Sequence, residues 1–421
     1  MISSKGDIME YKSLKTLFHM YGSQNLETEY QMRRKSFSSY LIDIDIHPIR
    51  DGKQDTDHSY PLFFVITKEL VKNLEKILIN SEKIKRLSAE LPGVANESYI
   101  NHLLINELQS TNETENIRST KAEIAESINK TKGYNKRFDG LVNQYSMIKN
   151  YNITINSISD IRKIFDSMVY SEIKESDLPD GELFRKKGIG VFDESKNKWI
   201  HRNEYNETKL IENLTSMFEF LKYDEAPEVF KIMASHFIFE YLHPFYDGNG
   251  RVGRYILAKL LSNNLDPFTA LTFSYTVNNN KNKYYKAFEN TSNYFNKGEL
   301  TIFIKEMLDL LLQGQSNIIE TFINNKNILD KLGISLSKLY RDKYEFDTLF
   351  ILLQDKIFGS KYSRISLKKI KEITGFSRNK INEVVTKNES KLNKIKSNPV
   401  IYEIKDDFIE ELLSQNDVNM T

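Results

Sequence analysis

The sequence predicts a mainly α-helical chain. It places small β elements at the N-terminus and in the middle, and a winged helix-turn-helix near the C-terminus. Three observations predict this. From Thr67 to Leu312 apolar residues recur at helical spacing with few interruptions. The strand-like runs are short and few, too few for a large sheet. Between residues 345 and 404 an apolar helix, a short helix, a Gly turn, a third helix and a strand-like run follow in the winged-helix order. With 421 residues the chain is long enough for two or three domains.

Ser39 to Ile46 (SYLIDIDI) alternates apolar and polar residues as a half-buried strand does, and Tyr60 to Ile66 is a second apolar run. The polar segment Arg50–His58 between them reads as a loop. Leu70, Leu74, Ile77 and Leu78 share one face of a helix that stops at Leu91-Pro92-Gly93. Ser98–Leu108 reads as the next helix, Ser110–Ser119 as a polar loop, and Thr120 with Glu123 as a capping box opening a further helix. Lys187–His201 has two glycines and a polar centre between apolar arms, the pattern of a β-hairpin flap. Glu228–Leu242 is apolar enough for a buried central helix, with His236 in the core. A glycine-rich loop and a helix from Tyr255 follow.

Lys plus Arg number 59 and Asp plus Glu 58, a net charge of +1, so nothing global points to a nucleic-acid or membrane surface. The absence of cysteine excludes disulfide frameworks, Cys-ligated metals and thiol nucleophiles. No apolar run reaches 18 residues and the first residues lack a signal-peptide core, so the expectation is a cytoplasmic protein with no membrane partner. One local imbalance stands out. Gly359–Ser397 holds 11 Lys or Arg against three Glu, a local +8, and Arg378 and Lys380 open the third helix where base-contacting residues sit. DNA is therefore one expected partner. A DNA-binding regulator whose central core senses nucleotide is the rival reading of the chain.

The chemistry concentrates in His243-Pro-Phe-Tyr-Asp-Gly-Asn-Gly-Arg-Val-Gly-Arg254. Gly248 and Gly250 let backbone N–H groups turn around an anion, and the following helix adds its positive end. Asn249 offers an amide donor, and Arg251 and Arg254, three apart, can fork onto phosphate oxygens. Asp247 is one hard carboxylate beside that nest, the usual protein share of a Mg²⁺ site. His243, whose ordinary pKa is near 6.5, suits a general base. Together they describe phosphoryl or nucleotidyl transfer to a hydroxyl. The letters Gly248-x-Gly250-x-x-Gly253 match a dinucleotide fingerprint, but a helix rather than a strand precedes them, and no Walker loop occurs. A plain capped turn would explain the glycines and leave two arginines, an asparagine and a histidine without work.

These twelve residues are the full signature of the Fic family, and the chain resembles that family over roughly residues 97–312. The resemblance implies a helical Fic core and a Mg-ATP-dependent protein adenylyltransferase that moves AMP to a Ser, Thr or Tyr hydroxyl and releases pyrophosphate. It implies the following roles. His243 is the base and Asp247 holds Mg²⁺. Gly248, Asn249, Gly250 and Arg251, with Gly253 in the same set, cradle the phosphates of ATP, and Arg254 takes the γ-phosphate. Tyr284 and Tyr285 either lie near the adenine or are core aromatics. The hairpin at Lys198–His201 clamps the target by strand addition. Thr111 to Asn116 is similar to the family's inhibitory pattern, which would pair Glu115 with Arg254 and displace the γ-phosphate; alternatively it is a solvated acidic loop. The resemblance also leaves AMP removal open, and implies as partners a protein substrate, itself included, and a second copy in a homodimer. The expected domains are an N-terminal α/β region (1–95), the Fic domain (96–315) and the winged helix (340–405).

Overall fold

The computed structural model describes residues 11–50, 53–129, 137–150, 153–193 and 198–417. Helices α1 (Leu14–Tyr21) and α2 (Ser23–Arg34) precede strand β1 (Ser39–Ile46), the two-residue strands β2 (Ile49–Arg50) and β3 (Lys53–Gln54), and β4 (Tyr60–Val65). Then come α3 (Lys68–Ala89), α4 (Gly93–Thr114), α5 (Lys121–Ile128), α6 (Asp139–Ser146) and α7 (Ile158–Met168). The hairpin β5 (Ile189–Asp193) and β6 (Lys198–Asn203) leads to α8 (Glu207–Tyr223), α9 (Glu228–Leu242) and α10 (Asn249–Asn264). After α11 (Pro267–Ala270), α12 (Phe273–Asn279) and α13 (Lys281–Thr291), the long α14 runs from Thr301 to Leu339. Helices α15 (Lys343–Phe358), α16 (Leu367–Thr374) and α17 (Arg378–Lys387), the pair β7 (Leu392–Ser397) and β8 (Val400–Ile404), and α18 (Asp406–Asp417) complete the chain. The fold is mainly α, as expected, and among the described residues every sheet is a two-stranded antiparallel pair.

The chain divides into two compact units. The first comprises residues 1–78, 150–264 and 276–312, and the second residues 79–149, 265–275 and 313–421. In the first, β1 and β4 pair with a register shift between Ile42 and Asp45, and Ile42, Ile44 and Ile46 alternate inward as the sequence pattern requires. Phe63 joins a core with Leu14, Leu26 and Tyr30. Helices α1 and α2 thus cover the β1–β4 pair. Helix α9 is buried along nearly its whole length, as its uniform apolarity predicts.

In the second unit, α4 runs six residues beyond the expected Leu108. Thr111, Asn112 and Thr114, polar enough to read as loop, are buried in it, and the Thr114 hydroxyl donates to the Ser110 carbonyl at 2.8 Å. The buried Glu107 carboxylate accepts the N–H groups of Ser274 and Tyr275, which lie in the first turn of α12. Ser98 on α4 donates to Asp355 on α15 at 2.8 Å, and Arg364 donates both to the Asp355 carbonyl and to Glu403 on β8. The capping box of Thr120 and Glu123 forms as expected. Helix α16, the left-handed Gly375, α17 and the β7–β8 pair come in the predicted winged-helix order. Among the described residues no helix is long and apolar enough to cross a membrane.

Candidate active site

Helix α9 must end at His243, because the following Pro244 disfavours helical backbone in the residue before it. His243 takes the left-handed conformation instead (φ 50°, ψ 62°), and its N–H closes the last turn on the Phe239 carbonyl at 2.9 Å. For a non-glycine residue that costs about 1–2 kcal/mol, so neighbouring bonds must hold it. Two do so directly: Arg185 Nε donates to the His243 carbonyl at 2.7 Å and Nη2 to that of Leu242 at 3.0 Å. The half-buried imidazole has Nδ1 3.2 Å from the Glu240 carbonyl. A carbonyl can only accept, so Nδ1 carries the hydrogen and the basic lone pair is on Nε2. Burial lowers the His243 pKa to about 4; the Glu240 carbonyl opposes this and the Arg185 charge adds to it. The imidazole is neutral near pH 7, as a base must be.

The loop after it is built on two anchors. Phe245 is fully buried, stacked on Phe165 (centroids 4.0 Å apart, planes 19°) and edge-on to Phe184. Asn249, 1% exposed, closes the loop by binding both backbone groups of Phe245: Oδ1 accepts its N–H at 2.9 Å and Nδ2 donates to its carbonyl at 2.7 Å. The Asn249 amide thus shapes the loop, with one of its two N–H groups committed to the Phe245 carbonyl. Gly248 sits at φ 84°, where a side chain would be strained, and its N–H donates to Asp247 Oδ1 at 2.6 Å. Asp247 is exposed beside the N-terminus of α10. Helix α10 begins at Asn249 rather than at the expected Tyr255, so the glycine-rich segment is its first turn, and the N–H groups of Asn249, Gly250 and Arg251 lie at its positive end.

The remaining signature residues are more committed than their letters suggest. Arg251 is 1% exposed and pairs with Glu172 at 3.0 Å, so its charge is already partnered. Glu172 was not anticipated, since nothing in its sequence context sets it apart. Gly253 serves packing: a Cβ there would meet Glu240 Oε1 and lie 2.8 Å from a Phe239 ring carbon, so it lets α10 approach α9. Arg254 is buried near His236, whose pKa burial and the Arg254 charge lower to about 3. Tyr284 is a core aromatic, 2% exposed with its hydroxyl 2.8 Å from His236 Nε2, whereas Tyr285 is 43% exposed. Glu115 caps α4 in the second unit and Arg254 lies in the first. The hairpin forms, with a register shift between Val191 and Phe192. The side chains of Lys198–His201 and the whole of 194–197 lie outside the described residues.

Among the described residues no group of three or more His, Cys, Asp or Glu could hold a metal. A Mg²⁺ that takes most of its ligands from phosphates and water needs no such group. The single exposed Asp247 carboxylate, steadied by the Gly248 N–H, fits that demand.

His243 in its left-handed turn, a loop closed on a buried phenylalanine and a helix N-terminus thus fall within twelve residues between two packed helices. The Fic/DOC family model matches residues 155–261, so the chain carries a Fic domain over that stretch. Among solved structures it is similar to a Fic family protein from Desulfovibrio desulfuricans G20 (16% identity, 81% of this chain and 97% of that one, TM-score 0.49). It is also similar to a Fic domain containing signaling protein from Bacteroides thetaiotaomicron VPI-5482 (14% identity, 61% and 97%, TM-score 0.42). A third is Fic-1 from C. elegans (13% identity, 61% and 73%, TM-score 0.40). No curated protein matches the chain.

Proposed function

We propose that this protein is a self-inhibited protein adenylyltransferase that transfers AMP from Mg-ATP to a protein hydroxyl. The observation that carries the reading is the neutral His243 imidazole, with its Nε2 lone pair as the base, on the same short loop as the N-terminus of α10. His243 takes the proton of the incoming Ser, Thr or Tyr hydroxyl. The first-turn N–H groups of α10 and Arg254 hold the phosphates, and Asp247 holds Mg²⁺, which when bound offsets phosphate charge. Arg251 contributes its backbone N–H to that first turn, its guanidinium being paired with Glu172. Glu115 competes with the γ-phosphate for Arg254 and so restrains the reaction. The hairpin offers main-chain groups to the target segment.

The test compares three proteins with labelled ATP. Glu115→Gly labels itself or lysate proteins more strongly than wild type, and His243→Ala abolishes labelling in both backgrounds. Labelling that survives His243→Ala removes the base assignment, and a Glu115→Gly protein less active than wild type removes the inhibitory one. A second reading, DNA binding, has its own support: Lys368, Lys371, Arg378, Lys394 and Lys396 are exposed on α16, α17 and β7. A gel shift that weakens steeply with salt supports it, and no shift at low salt dismisses it.

A further inference from the structure

Arg185, between α7 and the hairpin, is 0% exposed, an expensive placement for a charge unless its hydrogen bonds compensate. They do. Nε reaches the His243 carbonyl at 2.7 Å, Nη2 the Leu242 carbonyl at 3.0 Å and Asn203 Oδ1 at 3.4 Å, and Nη1 the carbonyls of Lys187 at 2.5 Å and Tyr205 at 2.7 Å. All five N–H groups of the guanidinium are therefore used. The carbonyls belong to two places. Leu242 and His243 are the C-terminal end of α9, where the helix dipole favours a cation. Lys187 and Tyr205 stand just before β5 and just after β6, the two feet of the hairpin.

Neighbouring bonds repeat the pattern. Asn203, also 0% exposed, donates to the Tyr241 carbonyl at 3.0 Å and accepts the Tyr205 N–H at 2.8 Å. The Arg185 N–H donates to the Pro244 carbonyl at 3.0 Å. The Tyr246 hydroxyl accepts the Lys187 N–H at 3.2 Å and donates to Asp180 at 2.9 Å. Upstream, Glu207 accepts the N–H groups of Glu182, Leu183 and Phe184 and so fixes the segment that delivers Arg185.

We propose that Arg185 is a positioning residue that, with Asn203, locks the turn carrying the base and both feet of the target-binding hairpin into one rigid piece. Under the adenylyltransferase reading, on which this rests, a single buried fork sets the distance between the docked hydroxyl and the His243 imidazole. Burial, partly opposed by Tyr246 and Glu204, lowers the Arg185 pKa to about 10, so it stays charged at neutral pH. A lysine cannot replace it: an ammonium has three donors and no planar fork, and cannot bridge both places at once.

The experiment uses the full chain carrying Arg185→Lys, with Asn203→Ala as the milder variant, and reads amide hydrogen exchange, ATP affinity and self-labelling with labelled ATP. The expected result is that the hairpin feet (186–190 with 202–206) and the segment 241–246 lose protection together by tenfold or more, while α8 keeps its wild-type rates. Self-labelling kcat falls at least tenfold and the ATP dissociation constant moves less than threefold, because the α10 N-terminus is untouched. Loss of protection in one segment alone overturns the coupling. Unchanged kcat with both segments loosened overturns the positioning role. If Arg185→Lys does not fold, Asn203→Ala decides on the same criteria. If no protein labels at all, the transferase reading fails, and the exchange measurement still decides whether the two segments are coupled.

Discussion

Replacing Asn249 by Ala tests whether the signature loop is shaped by one side chain. Both partners of the Asn249 amide are backbone groups of Phe245, a residue with no exposed surface. Alanine leaves that N–H and that carbonyl buried without a bond, and each such group costs about 1–3 kcal/mol. Allowing for relaxation, the closed loop loses about 2–4 kcal/mol relative to its locally open form. At about 1.4 kcal/mol per factor of ten, that is roughly a 30- to 700-fold loss of protection. Amide hydrogen exchange at Phe245 reads it directly, since this N–H is the one released, and amides of α8 serve as the control for global unfolding. The variant also loses labelling activity, because the loop carries Asp247 and the first turn of α10. If the Phe245 amide exchanges within about threefold of its wild-type rate, Phe245 packing alone holds the loop and the reasoning is wrong.

Other expectations follow from single contacts. Phe245→Ala removes the ring stacked on Phe165 and destabilises the first unit by about 3–5 kcal/mol in urea unfolding. Gly253→Ala gains about 1 kcal/mol of helix propensity, but its methyl collides with the Phe239 ring and Glu240, so a net loss of about 1–2 kcal/mol is expected by the same assay. Glu172→Ala strands the buried Arg251 charge and costs about 3–5 kcal/mol, with weaker ATP binding by calorimetry. The pKa of His243, lowered to about 4, fixes the sign of two pH effects. Labelling stays level on acidification to about pH 5.5 and falls only as the imidazole protonates. The stabilising contribution, full above the unfolded pKa near 6.5, is lost as pH falls from there toward 4, because only the unfolded chain binds the proton in that window. A rate midpoint at pH 6.5 contradicts the buried environment.

The pattern-bearing elements were legible in the sequence. Strand β1 alternates from Ile42 to Ile46, α9 is strongly apolar, Thr120 and Glu123 announce a cap, and Ser377 before Arg378 marks the start of α17. Polar residues buried by tertiary packing were not. The last turn of α4 reads as loop because Thr111, Asn112 and Thr114 spend their polarity inside the second unit. Likewise α1 and α2 were missed, since α2 is too polar for a clear apolar stripe. In the site, the twelve-residue motif located His243, the exposed Asp247 and the helix N-terminus. It did not reveal which letters act through packing. Asn249 binds the Phe245 backbone and Gly253 lets α10 approach α9, and the residues that hold the site from outside the motif, Arg185, Asn203 and Glu172, lie 40 or more residues away with no local signal.

The central claim is that the His243 loop moves AMP, and position-specific labelling of ATP tests it most directly. The Glu115→Gly protein is incubated with Mg²⁺ and ATP labelled at either the α- or the γ-phosphate. Label on protein from the α-position alone, absent in the same protein carrying His243→Ala, is the predicted result. Label from the γ-position, or none from either while ATP binds, contradicts it.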